Sequence, residues 1–272
     1  MGRPLAGGFL VGIGDIEPEQ QDSGQGWSIS QFRVVVSGRE GSSSTVFHGR
    51  FLAGSQHRIH RHDDADELCV YLGGRGLVGT GDDRLHVGKG DARVITRGVE
   101  HFFHNAGEVE PAEVIGLYAG ATSVADSGYV FVGAPSPDDL RRAKAGRAAA
   151  THPVVNVSDV EPWADADRFG WRDAAYRELL STAEPVPAAI FAASIRSGGA
   201  RAAHRLAADA YYFVERGTGV VGSDAGERAW TAQHVWFVPA GELGWIRADE
   251  EMDLYGFLVG APSLRVAGYT DG

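Results

Sequence analysis

Cysteine is almost absent from this chain. Its 272 residues include one, Cys69, so no intramolecular disulfide can staple the fold, which fits a reducing, cytoplasmic setting. Long apolar runs are missing too, and none approaches the ~18 residues that a membrane helix needs. The weakly apolar stretch at 7–14 follows a single arginine and lacks a small-x-small cleavage pattern, so no secretory signal is expected. Positive charge is scarce: Lys plus Arg number 25 against 36 Asp plus Glu, a net charge of −11. That balance repels phosphate backbones and anionic lipid, so neither nucleic acid nor a membrane surface is an expected partner.

Glycine, by contrast, is abundant. The 38 glycines are about twice the usual share and punctuate short runs rich in Val, Phe, Tyr, Ile and Leu. Short strands with turn signals at such spacing predict an all-β sandwich or barrel.

The chain repeats itself. At a shift of 144, Asp15-Ile-Glu-Pro18 recurs as Asp159-Val-Glu-Pro162, Gly26-Trp27 as Gly170-Trp171, Gly54 as Gly198 and His60 as His204. After a one-residue deletion Gly74-x-Gly76 matches Gly217-x-Gly219 and Gly98 matches Gly241, and near the ends Gly128-Tyr129 matches Gly268-Tyr269. Two similar β domains in tandem follow, at a period far too long for a solenoid. Residues 1–134 and 153–272 are the expected copies, with a helical linker at 135–152. Ser136 can cap that helix, Pro137 suits its first position, Asp138 and Asp139 complement its positive end, and Arg141, Arg142, Lys144 and Arg147 follow as a solvated basic face.

In the first copy His60 and His62 are two apart on a predicted strand, so both imidazoles share one face. A polar turn, Asp63-Asp-Ala-Asp66, leads to Glu67 and an apolar strand at 68–72, and beyond the turn at Gly98 comes His101. If these strands are neighbours in a barrel, three imidazoles and one carboxylate converge, a donor set for one divalent first-row metal with positions left open. His57 and His104 stand an odd number of residues from the nearest ligand, so a regular strand turns them away.

This pattern resembles the cupin family. Gly54, His60, His62, Glu67 and Gly74 meet every position of its first motif, G-x5-H-x-H-x3,4-E-x6-G. Gly90, Gly98, His101 and Asn105 match the second, in which Thr96 replaces a turn proline. The resemblance implies two tandem jelly-roll barrels, a bicupin, with the metal in the mouth of the first. In the second copy His204 is retained, but Leu206, Ala210, Gly244 and Ala248 stand in place of the second His, the Glu, the third His and the Asn. That barrel is expected to hold no metal and to serve as a packing or dimerisation partner or as a wall of the pocket, with a metal-free sugar or acid site as the lesser alternative.

The repeat also nominates pocket residues. His48 and Arg50 share one face just before the metal motif and correspond to Ala192 and Ser194, so they are candidates to hold an anionic or carbonyl substrate. Tyr71 and Cys69 share the parity of Glu67, and Phe103 that of His101, which points them inward. Gly74-Arg-Gly-Leu-Val-Gly79 fits G-x-G-x-x-G, but strand-like sequence follows instead of a helix, so it is a turn of the repeat and not a dinucleotide fingerprint.

By resemblance, the expected function is a mononuclear metal enzyme acting on a small oxygen-rich organic molecule. An Fe(II) dioxygenase comes first. A Lewis-acid isomerase, cyclase, lyase or decarboxylase using Zn, Ni, Mn or Co comes second, with Glu67 able to move a proton as general base. A non-enzymatic barrel binding a small ligand is third. Pairing of barrels into a homodimer is a further expectation of the resemblance.

Overall fold

The computed structural model describes residues 4–5, 8–80, 83–105, 107, 109–141 and 153–272. Strands dominate, and the described helices are short: several 3-10 turns and one α-helix, Pro137–Arg141. Among the described residues no helix is long and apolar enough to cross a membrane. The α-helix begins as expected. Ser136 Oγ accepts from Asp139 N–H at 3.1 Å while Asp139 Oδ2 accepts from Ser136 N–H at 2.8 Å, a reciprocal cap. The rest of the anticipated linker helix, 142–152, lies outside the described residues.

Two compact units form, and they do not follow the repeat boundaries at 134 and 153. One comprises residues 17–38 and 44–156, the other 1–16, 39–43 and 157–272. The correction has a specific cause in strand pairing. The strand Gly8–Gly12 pairs with His234–Val238, with Val11 opposite Val235, whereas Val154–Asn156 pairs with Asp91–Ile95, with Val155 opposite Ala92. Val11 and Val155 are repeat equivalents, as are Ala92 and Val235, so each copy lends its opening strand to the other in the same register.

In the first unit two sheets face each other. One runs in the order Val154–Asn156, Asp91–Ile95, Asp66–Gly73, Ala112–Ala119, Thr45–Phe51, Gln31–Val36. The other runs Tyr129–Gly133, Gln56–His62, His101–Asn105, Arg75–Thr80, Asp83–Gly88. Val34, Val35 and Val36, and the run Leu68 to Leu72, favour strand by β-branching and burial. Between the sheets lie Phe32, Phe47, Phe51, Tyr71 and Phe103. Phe32 stacks on Phe47 at 5.4 Å, and Phe51 meets Phe103 at 4.4 Å. Each such side chain contributes about 1.5–3 kcal/mol by leaving water.

The second unit is a jelly-roll of the same pattern in which the 18-residue strand Ala188–Arg205 serves both faces. Its first half pairs with Met252–Val259 and its second with Gly244–Ala248. Its core is richer in tryptophan, with Trp171, Trp230 and Trp236 buried beside Tyr176 and Tyr212.

Candidate metal centre

His60 and His62 lie on Gln56–His62, His101 on the adjacent strand, and Glu67 on the facing sheet. All four are buried, and one donor atom from each falls within 4.8 Å of the others. Three backbone or hydroxyl partners fix how the imidazoles present themselves. His60 Nδ1 meets Arg58 O at 2.7 Å and His101 Nδ1 meets Val99 O at 2.8 Å; a carbonyl only accepts, so both Nδ1 atoms carry the proton. His62 Nδ1 meets Ser127 Oγ at 2.8 Å, and that hydroxyl gives its own proton to Val124 O at 2.7 Å, so His62 Nδ1 donates as well. Ser127 is held by its loop: Asp64 N–H donates to Ser127 O, and Gly128, at φ 70°, sits where a Cβ would strike Asp64.

With Nδ1 engaged outward, each imidazole turns Nε2 inward. Burial first, then the neighbouring imidazoles, hold His60 well below its ordinary pKa; burial likewise lowers His62 against the pull of Glu67. The Nε2 atoms of His60 and His62 have no hydrogen-bond partner. Glu67 Oε2 lies 3.2 Å from His62 Nε2 and 2.9 Å from His101 Nε2. Burial works against the Glu67 charge, but His101 and then His62 outweigh it and keep the carboxyl ionised well below its usual range. Three inward Nε2 atoms around an ionised carboxylate form a buried nitrogen and oxygen donor set that fits a divalent metal. Cys69 Sγ donates to Glu67 Oε1 at 3.1 Å and, pushed up by burial and then by Glu67, stays a thiol.

His60, Glu67 and His101 line a small cavity of ≈ 30 Å³. Tyr71, Cys69 and Phe103 line it, as their parity implies. His48 and Arg50 do not. Phe47, Gly49 and Phe51 are the inward set of Thr45–Phe51, and the opposite face carries Arg50 Nε 3.2 Å and His48 Nε2 3.8 Å from Glu113. These two expected pocket residues therefore face Glu113, away from the metal centre.

His57 corrects the strand rule in the other direction. His101 pairs with His60, but Phe103 pairs with His57, so an extra residue bulges between 57 and 60. The bulge swings His57 inward, where its ring stacks on His60 at 3.6 Å and on Trp27 at 4.2 Å and lines the cavity. His104, half-buried, is not among the cavity-lining residues.

Arg93 and Ser127 went unnoticed in the sequence. Arg93 is 2% exposed, pairs across the strands with Cys69, and shares the cavity wall with it. Both residues had a signal: polar in the metal-bearing copy, they are matched by Trp236 and Ala267 in the other.

Residues 47–118 match a family model described as a cupin domain. No curated protein matches the chain in sequence. Among solved structures, oxalate decarboxylase of Bacillus subtilis at pH 4.6 superposes with a TM-score of 0.66 at 14% identity, over 92% of this chain and 75% of that one. A study of the Mn(II) centres of the same enzyme gives 0.66, 14%, 92% and 76%. Vicilin of Solanum melongena gives 0.67 at 15% identity, over 93% and 84%. At these identities the likeness carries the fold, while the motif and the inward donors come from this chain. Residues 47–118 thus carry a cupin domain, and the repeat, the register and the neighbours' fold agree on two cupin-like jelly-rolls in tandem, with the metal motif intact in the N-terminal copy.

Proposed function

We propose that the first barrel is the active site of a divalent-metal lyase that removes CO2 from a small organic acid. The carrying observation is the pairing of the four inward donors with a buried cation, Arg93, on the wall of an aromatic cavity. His60, His62, His101 and Glu67 would hold the ion, which when bound supplies Lewis acidity toward a substrate oxygen. Arg93 orients a carboxylate through its planar fork. Phe32, Phe47, Phe51 and Phe103 pack against the remainder of the substrate and keep water from it. Loss of CO2 spreads the carboxylate's charge, a change that a water-poor wall favours. Tyr71 and Tyr118 line the same cavity, and burial pushes both phenols up, so at neutral pH each Oη is a proton donor and not a base. The likeness to oxalate decarboxylase supports this reading at the level of the fold.

A second reading, an Fe(II) dioxygenase, is favoured by the same phenylalanine wall, which suits O2 as well as an apolar substrate. One experiment separates the two. Protein purified without chelator is analysed for metals and then supplied with oxalate, 2-oxo acids, diketones and catechols under an oxygen electrode with CO2 detection. CO2 release without net O2 uptake, with manganese, zinc, nickel or cobalt bound, supports the lyase. Iron with O2 uptake selects the dioxygenase, and neither metal nor turnover sinks both.

A further inference from the structure

The interior of the second barrel contains a charge that the barrel does not balance. Arg201 occupies the repeat position of His57, at the same bulge: Arg201 pairs with Ile246 and His204 with Gly244, with the register shift between them. It is 1% exposed. Its Nη1 donates to Tyr212 Oη, and its guanidinium carbon lies 4.8 Å from the Trp171 ring centroid and 5.6 Å from that of Tyr212. Nε and Nη2 have no acceptor, and among the described residues no carboxylate is paired with it. Tyr176 Oη and Trp171 Nε1, buried in the same core cluster, also lack partners.

The orientation of the unsatisfied atoms defines the missing group. Nε and Nη2 share one edge of the planar guanidinium, the edge that takes both oxygens of a carboxylate at once. Guanidinium and indole N–H groups only donate, so their complement is an acceptor, and a fixed positive charge selects an anion over a sugar or a metal ion. Burial and then the charge of Arg201 hold His204 well below its ordinary pKa, which marks the local potential as positive.

We propose that the second barrel is a binding site for a small carboxylate, gripped side-on by Nε and Nη2 of Arg201 with Tyr176 and Trp171 as further donors. Nothing in this proposal depends on the reaction assigned to the first barrel.

The test is titration of chelator-stripped protein with sodium acetate and sodium formate, against sodium chloride at equal ionic strength, read by calorimetry and by thermal melting. A saturable heat is expected, with a rise in Tm of about 5 °C at a hundredfold excess over Kd. The response should persist in His60→Ala, which disables the first barrel's donor set. It should vanish in Arg201→Gln and weaken at least tenfold in Arg201→Lys, which keeps the charge but loses the fork. No saturable response in the wild-type protein overturns the proposal. So does a response that follows His60→Ala, or one that survives both Arg201 variants.

Discussion

The two barrels share a fold and a bulge and differ in what the bulge delivers. In the first, the residue swung inward is His57, kept neutral by burial above all, beside three imidazoles and a carboxylate. In the second it is Arg201, a permanent cation, and the neighbouring positions have become bulky: Cys69 is matched by Tyr212 and Arg93 by Trp236. The ring of Trp236 approaches Gly244, where the first copy has His101. Loss of ligands is therefore only part of why the second barrel is unsuited to a metal ion. A guanidinium at its centre repels any cation, and aromatic rings take up space once given to imidazole and carboxylate. What separates the two interiors is the donors that line them together with the charge placed at one strand position.

The strongest test of that contrast is removal of one histidine from each copy. His60→Ala or His62→Ala should take the metal content from one ion per chain toward zero and abolish turnover, measured by elemental analysis and activity. His204→Ala should leave metal content unchanged, and a halved ratio there would show that both barrels load.

A smaller effect is expected one step outward. Ser127→Ala removes the acceptor that fixes the His62 tautomer and should weaken metal affinity by about 10–100-fold in a competition titration. Placing serine at the equivalent site, Ala267→Ser, should change nothing. If Ser127→Ala binds as tightly as the parent, the hydroxyl does not orient the ligand.

Acid should reveal the neutral histidines. His57, His60 and His204 are held well below their ordinary value of 6.5, mainly by burial. Below that value the unfolded chain takes up protons that the folded protein refuses, so stability present above pH 6.5 is lost as pH falls. Metal-stripped protein should melt several degrees lower at pH 5 than at pH 7. His57→Gln, which removes one such group, should flatten the slope. A melting temperature that rises on acidification would contradict the neutral assignment.

The smallest change is expected from the residues that the structure moves out of the pocket. His48→Ala and Arg50→Ala should each alter kcat/KM by no more than about twofold and leave metal content intact. A hundredfold loss would return them to the site.

The sequence carried the parts of this molecule that depend on short-range spacing. Two histidines on one strand face, a carboxylate past a polar turn and a third histidine after Gly98 are local patterns, and the repeat at 144 made the tandem architecture legible. Strand phase was not. Nothing in Phe47-His-Gly-Arg-Phe51 says which alternate set faces the metal, because phenylalanine and histidine both suit a half-buried strand. The inward turn of His57 depends on an extra residue that only the pairing of Phe103 reveals. Arg93 was hidden for a different reason. An arginine inside an apolar strand reads as an exposed edge until its cross-strand partner, Cys69, is known to face the cavity.

The reciprocal loan of opening strands has consequences for anyone who divides this protein. A cut placed between the copies would leave Asp91–Ile95 and His234–Val238 with bare edges, while each fragment carried an arm fitted to the other. Separately produced halves should thus be sticky and poorly behaved alone, yet able to reassemble when mixed, in the manner of a split reporter.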